Sequence, residues 1–280
     1  MTAPLLDIAD LHVSFRTPRG VLEAVRGVSF AMGREKLGIV GESGSGKTLT
    51  GRSILRLLPG AAELHAKRLT FDGIDLLRAT SAELRDLRGR RLAMVMQDPK
   101  FSLNPVMTVG DQIAEAYLAH SRVSRAEARE KALHMLEAVR IRDPGRVYAL
   151  YPYEVSGGMG QRIMIAMMLA PDPDLLVADE PTSALDVTVQ MQVLAILDDL
   201  VSERGMGLVF ISHDLTLVAS FCDRVLVMYG GRLVETLDAR ELGRAQHPYT
   251  RGLLACLPQL SGTEGDLPVL SRDPAWLEAP

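Results

Sequence analysis

The segment Leu37-Gly38-Ile39-Val40-Gly41-Glu42-Ser43-Gly44-Ser45-Gly46-Lys47-Thr48 decides the reading of this chain. Its first four residues make a short apolar run, the next eight fit GxxxxGK[ST], and a helical pattern opens at Gly46. Glycines there let successive backbone N–H groups converge on phosphate oxygens with no Cβ in the way, and the helix N-terminus adds a favourable dipole. Gly41, Ser43, Gly44, Ser45 and Gly46 are therefore assigned to nucleotide phosphates, Lys47 to the charge of the β and γ phosphates, and Thr48 to a Mg²⁺ ion. The plain alternative is a glycine-rich turn with a solvated lysine. A strand before the loop and a helix after it argue against that.

Working outward, segments rich in Val, Ile, Leu and Phe predict strands at 5–15, 21–32, 92–96, 175–178, 207–211, 225–228 and 232–235. Apolar residues three and four apart predict helices over 46–58, 108–120, 125–139, 158–169 and 187–203, with a small helix near 239–244. Strands alternating with helices indicate an α/β layer around a parallel sheet. The first two strands, joined at Thr17–Gly20, read as an antiparallel hairpin added to that sheet. From Asp98 to about Ala170 strand signals are few. The expected organisation is thus an α/β core from 1–97 and 171–245, a helical subdomain inserted at 98–170, and a short C-terminal extension at 246–280 with a loosely held tail.

A phosphate loop needs an acidic partner for its metal. Leu175-Leu176-Val177-Ala178-Asp179-Glu180 supplies one at the end of a buried-looking strand, with Asp179 assigned to Mg²⁺. Glu180, one residue further, is placed to polarise the water that attacks the γ-phosphorus, the alternative being a salt-bridging loop acid.

The run Val155-Ser156-Gly157-Gly158-Met159-Gly160-Gln161-Arg162 resembles the LSGGQ signature of the ABC ATPases. Four neighbouring matches in the right order carry the same resemblance: Phe15, Gln97, Ser183-Ala184-Leu185-Asp186 and His213. The resemblance implies a P-loop ATPase that binds ATP and Mg²⁺, with two ATP molecules sandwiched in a head-to-tail dimer. Ser156, Gly157 and Gly158 would then complete the site of a second ATPase subunit, the same chain or a similar one. Gln97 would sense Mg²⁺ and the γ-phosphate and couple the core to the helical subdomain. His213 would hydrogen-bond the γ-phosphate, Phe15 would stack on adenine, and the turn from Ser183 to Asp186 would touch the partner subunit. Each has a simpler alternative: a structural histidine, a turn-capping glutamine, a core aromatic. Met159 and Val155 depart from the usual Gln and Leu, and Gly160 stands where relatives carry a longer side chain.

Gln97-Asp98-Pro99-Lys100-Phe101-Ser102-Leu103-Asn104-Pro105, Ala184-Leu185-Asp186-Val187-Thr188 and His247-Pro248-Tyr249-Thr250 look like the dipeptide, oligopeptide and nickel import branch. The resemblance implies an energy-coupling subunit, docked on two membrane permease subunits at the cytoplasmic face of the inner membrane. An extracytoplasmic solute-binding protein would serve it indirectly. Di- or oligopeptides are the expected cargo, with nickel or another small solute as the alternative and a non-transport ATPase of DNA repair or translation as a more distant one. Residues 101–107, with apolar Phe101, Leu103 and Met107, are the expected rim of a groove for a permease helix.

Composition is consistent with this. The chain holds 31 basic and 35 acidic residues, a net charge of −4, and is 47% hydrophobic, which excludes a disordered chain and argues against whole-surface nucleic-acid binding. The basic run Arg85, Arg88, Arg90 and Arg91 reads as a solvated helix end, so no nucleic-acid partner is expected. The longest apolar run, Ile163 to Ala170, is far short of a bilayer span, and the first ten residues do not read as a secretory signal. Cys222 and Cys256 have no CxxC partner, so neither a disulfide nor an iron–sulfur cluster is expected.

Overall fold

Strands β1 (Leu6–Thr17) and β2 (Gly20–Met32) pair antiparallel from Leu6 opposite Met32 to Thr17 opposite Gly20. The Thr17 hydroxyl closes the turn by donating to the Gly20 carbonyl at 2.8 Å. The register slips between Ile8 and Leu11, where Asp10 takes a φ of 54°, as at a β-bulge. Strand β3 (Lys36–Val40) follows, buried over its last four residues, and leads through the glycine loop into α1 (Lys47–Ile54). The hairpin does not join the parallel strands, as the sequence had suggested. It belongs to a separate antiparallel sheet in the order β2-β1-β5-β6, with β4 also on β1, where β4 is Ala62–His65, β5 Arg68–Phe71 and β6 Ile74–Asp75. These three strands have two to four residues each, too few for an alternating pattern to show.

The computed structural model describes residues 3–183, 185–256, 273 and 276, with the backbone alone at Lys100 and Phe101. They fall in two compact units, Met1–Arg78 with Phe210–Pro280, and Ala79–Val209. The second unit opens on α2 (Ser81–Arg90), which periodicity missed although Thr80 and Glu83 form a capping box that marks its start. Its last turn kinks at Arg88 and Gly89, and the basic run there is paired within the unit: Arg90 lies 3.4 Å from Asp86 and Arg91 2.6 Å from Asp174.

Strand β7 (Leu92–Val95) runs parallel to β8, Leu175–Asp179, with Leu92 opposite Leu175 and Val95 opposite Ala178. The intervening chain is helical: α3 (Pro99–Ser102), α4 (Val109–His120), α5 (Arg125–Ala138), α6 (Pro144–Tyr148) and α7 (Gly157–Leu169). Ile113, Ala132, Leu136 and Ile163, from three of these helices, are fully buried together as the expected period requires. Helix α8 (Val187–Arg204) follows, and β9 (Gly207–Ser212) carries the chain into the first unit.

There α9 (Leu215–Phe221) precedes β10 (Arg224–Tyr229), β11 (Arg232–Asp238) and, after a 3-10 turn, α10 (Pro248–Ala255). Strand β10 pairs parallel with β3, Val227 opposite Val40, and antiparallel with β11. Helix α9 can lie close on β3 because residue 38 is glycine: a Cβ there would stand 2.1 Å from Val218 Cγ1 and 3.2 Å from Cys222 Sγ. The same burial pushes the Cys222 thiol up to about 12, so it stays protonated at neutral pH. Most of the expected tail, 257–272, 274, 275 and 277–280, lies outside the described residues.

Replacing Gly38 by Ala should therefore destabilise the protein by about 1–3 kcal/mol, since neither backbone nor a fully buried Val218 can yield without cost. Gly33→Ala, where an added Cβ meets nothing within 4 Å, is the control, and thermal melts of the two variants check the difference.

Candidate functional site

In the first unit the glycine loop is wound around its own lysine. Lys47 is 5% exposed, and its Nζ donates to the carbonyls of Gly41 at 2.7 Å and Glu42 at 2.9 Å. The loop turns on Gly41, Gly44 and Gly46 with φ of 153°, 80° and 96°. At Gly46 a side chain is excluded twice, by the left-handed backbone and by the Ala24 carbonyl, 2.7 Å from any Cβ. At Gly41 a Cβ would meet the Met228 carbonyl at 2.1 Å. The end of β10 and the turn to β11 thus form the floor of the loop, tied by the Gly231 N–H donating to the Ser45 carbonyl at 3.2 Å. Ser45 Oγ is buried with no partner among the described residues, Ser43 and Gly44 are exposed, and Thr48 is half-buried in the first turn of α1.

His213 is exposed between β9 and the N-cap of α9, Asp214, whose Oδ1 accepts from the Leu217 N–H at 3.0 Å. It lines a cavity of about 310 Å³ with Val40, Gly41 and Leu253. The structure therefore brings His213 to the start of the phosphate loop. Phe15 stands half-buried on β1, opposite Leu22 and Ala62. One contact was absent from the sequence reading. The Glu42 N–H donates to the hydroxyl of Tyr249 at 3.0 Å, and Leu253, one turn on, completes the cavity wall. The His-Pro-Tyr-Thr motif was visible, and its histidine N-cap with proline at N1 signals a helix, but nothing in the sequence says where that helix packs.

In the second unit Asp179 ends β8 with 6% exposure, and Glu180 follows in the left-handed region at φ 47°. Ser183 braces that turn, its N–H and hydroxyl both donating to the Glu180 carbonyl, at 3.3 and 3.2 Å. Ala184 lies outside the described residues. Asp186 caps α8, its Oδ1 accepting from the Val189 N–H at 3.0 Å, which fixes Val189 where it covers the bare Cα of Gly158. A Cβ on Gly158 would lie 2.6 Å from Val189 Cγ1, whereas one on Gly157 would meet nothing within 4 Å.

Ser156 is the N-cap of α7, accepting from the Met159 N–H at 3.4 Å; Ser156 and Gly157 are exposed, Gly158 and Met159 half-buried and Gly160 buried. Arg162 secures that turn by donating to the carbonyls of Gly158 at 3.2 Å and Arg140 at 2.8 Å; burial lowers its pKa from the usual guanidinium value. Gly160 is buried against Pro99; a Cβ there would stand 3.6 Å from the proline ring, an ordinary van der Waals contact, so nothing in the structure explains glycine at this departure from the signature. Gln97, exposed just beyond β7, shares with Ser156 and Gly157 a cavity of about 670 Å³. Leu103 also lines it and is only 5% exposed, so it is a wall and not the exposed rim expected of it; Val106, 79% exposed, is the projecting apolar residue of that loop. The loop closes inward because Gln112 accepts from the Asn104 N–H at 2.7 Å and donates back to the Asn104 carbonyl at 3.0 Å. The Phe101 side chain lies outside the described residues. Among the described residues no helix is long and apolar enough to cross a membrane.

Residues 25–183 match the ABC transporter family. A probable peptide ABC transporter ATP-binding protein of Sinorhizobium fredii is 52% identical over 268 residues, 94% of this chain and 80% of that one. The dipeptide transport ATP-binding protein DppD of Bacillus subtilis is 44% identical over 279 residues, 99% of this chain and 83% of that one. Among solved structures, the ATP-binding cassette MJ0796, a dimer in a post-hydrolysis state bound to ADP and Pi, aligns with a TM-score of 0.74 and 26% identity over 84% of this chain and 99% of that one.

The two signature glycines should respond differently to the same change. Gly158→Ala is expected to lower stability by about 1–3 kcal/mol through Val189, and Gly157→Ala to leave it within about 0.5 kcal/mol, as denaturant titrations of the two variants would show.

Proposed function

The chain belongs to the ABC transporter family, and from that premise we propose that it is the ATP-hydrolysing, energy-coupling subunit of an importer for di- or oligopeptides. The carrying observation is the loop at Gly41–Thr48, wound on a buried lysine and opening a helix, in a chain whose peptide-transport relatives align over nearly its whole length. ATP is bound and hydrolysed, as in the family at large. The relatives named for dipeptides and peptides support that cargo; the nickel alternative is not favoured by them.

Each residue then has a task. The N–H groups of Gly41–Thr48 and the Lys47 ammonium hold the β and γ phosphates, Lys47 exchanging loop carbonyls for phosphate oxygens. Thr48, Asp179 and Gln97 are the oxygen donors offered to Mg²⁺, and a hard oxygen set suits that ion; when bound, it spreads the phosphate charge. Glu180 polarises the attacking water, His213 donates to the γ-phosphate, and Phe15 stacks on adenine. Ser156, Gly157 and Gly158 serve the ATP of a second ATPase subunit, which fits the exposure of Ser156 and Gly157 at the helix start and the open space over Gly157. Functionally the chain divides into a core of 1–97 and 171–245, the inserted helical subdomain 98–170 and the extension 246–280. The assembly would comprise two such ATPase subunits on two permease subunits at the cytoplasmic face of the inner membrane, supplied by an extracytoplasmic binding protein, with no nucleic-acid partner.

Glu180→Gln should slow hydrolysis about a hundredfold or more while ATP still binds, because a neutral amide cannot polarise water as a carboxylate does. Hydrolysis at the parental rate in the assembled transporter would remove Glu180 from this role. In a Glu180→Gln background, adding Ser156→Arg should leave ATP binding to one chain nearly intact and abolish the ATP-dependent dimer seen by size exclusion. The cargo is read from the ligand that co-purifies with the cognate binding protein: a peptide is expected, and a metal ion would overturn the assignment.

A further inference from the structure

The peptide unit joining Gly41 to Glu42 is gripped at both ends. Its carbonyl accepts from Lys47 Nζ at 2.7 Å and its N–H donates to Tyr249 Oη at 3.0 Å. In a trans peptide these two groups point in opposite directions, so a partner on each side fixes the rotation of the plane. One partner is the lysine that faces phosphate; the other comes from α10, more than two hundred residues away. We propose that Tyr249 is a positioning residue of the phosphate loop: its hydroxyl sets the Gly41–Glu42 peptide so that the carbonyl holds Lys47 ready for the nucleotide. This inference rests on the phosphate-loop reading above and goes beyond it by assigning a task to the His-Pro-Tyr-Thr motif.

The phenol can set a backbone plane only if it is itself immobile, and the surroundings make it so. Tyr249 has no exposed surface. Its ring lies 4.4 Å from that of Tyr229, and Trp276 covers both at 6.1 and 5.8 Å. Tyr229 ends β10, directly after Met228, whose carbonyl floors Gly41, so one strand end supports both the loop and the ring that braces it. The start of α10 is clamped as well. Glu235 Oε1 accepts from the N–H groups of Gln246 at 2.6 Å and His247 at 3.2 Å, and His247 Nδ1 accepts from the Tyr249 N–H at 3.2 Å. Pro248 at the first helical position presets the backbone between them. A carboxylate on β11, a capped helix start and an aromatic cluster together deliver one oxygen to one amide. Leu253 of the same helix borders the cavity shared by Gly41 and His213, so α10 meets the start of the phosphate loop at two points.

Tyr249→Phe removes the hydroxyl and keeps the ring. The Glu42 N–H loses this acceptor, the peptide gains freedom to rotate, and Lys47 loses a fixed anchor. The full chain, as parent, Tyr249→Phe and Lys47→Ala, is titrated with ATP by calorimetry, and each is melted with and without ATP. Tyr249→Phe is expected to weaken ATP binding about five-fold, the factor for a lost hydrogen bond of about 1 kcal/mol, and to shrink the rise in Tm that ATP produces. In the assembled transporter KM for ATP should rise while kcat at saturating ATP stays within about twofold, since the hydroxyl holds the loop and touches no reacting atom. A Tyr249→Phe protein that melts lower but binds ATP as the parent does, with the full ATP-induced rise in Tm, overturns the proposal and leaves Tyr249 a packing residue. A parent that binds no ATP, or a Lys47→Ala variant that binds it equally well, overturns the phosphate-loop reading itself and this inference with it.

Discussion

A buried ammonium must be surrounded by oxygen, and around Lys47 that requirement organises the whole first unit. The cation is 5% exposed and takes the Gly41 and Glu42 carbonyls as ligands, which bends the chain back on itself over six residues. That bend is open only to a backbone without side chains at Gly41 and Gly46, where the Met228 and Ala24 carbonyls approach. The floor must then be held at the right height, which is the work of β10 paired to β3 and of the turn that reaches Ser45. Strand pairing, glycine placement and lysine burial thus answer to a single electrostatic need.

The second unit meets a different constraint, holding the start of a helix in place from its own packing. Helix α7 is anchored by Arg162, by Val189 over Gly158 and at its cap by Ser156, while Ser156 and Gly157 remain exposed. On the proposed role of Ser156–Gly158, the N–H groups of that helix start are kept aligned by the chain's own packing and not by the ligand.

The parts legible in sequence were those whose signal is local. The phosphate loop, the buried strands β3, β7, β8, β9 and β10 and the long helices α4, α5, α7 and α8 each carry several residues of period or a fixed spacing, and each appears within a few residues of its expected bounds. Strands β4, β5 and β6 are short and half-exposed, so they left no period, and the sheet they build with the first hairpin was invisible. Helices α9 and α10, seven and eight residues long, fell to the same limit. Around the candidate site, motifs were readable and contacts were not: Val189 closes over Gly158, Leu103 turned from rim to wall, and Tyr249 acquired a partner more than two hundred positions upstream, none of which any spacing encodes.

Glu180 stands in the left-handed region at φ 47°, directly before Pro181, a place that glycine and asparagine occupy at less cost. Holding an ordinary L residue there is a debt of about 1 kcal/mol against the stability of its own unit. If Glu180 acts as proposed, the chain carries a tension between durability and turnover at one position. Glycine at 180 would relieve the backbone and remove the carboxylate, so, on the role proposed for Glu180, a screen that selected variants for heat resistance alone would be drawn towards a protein slow in hydrolysis.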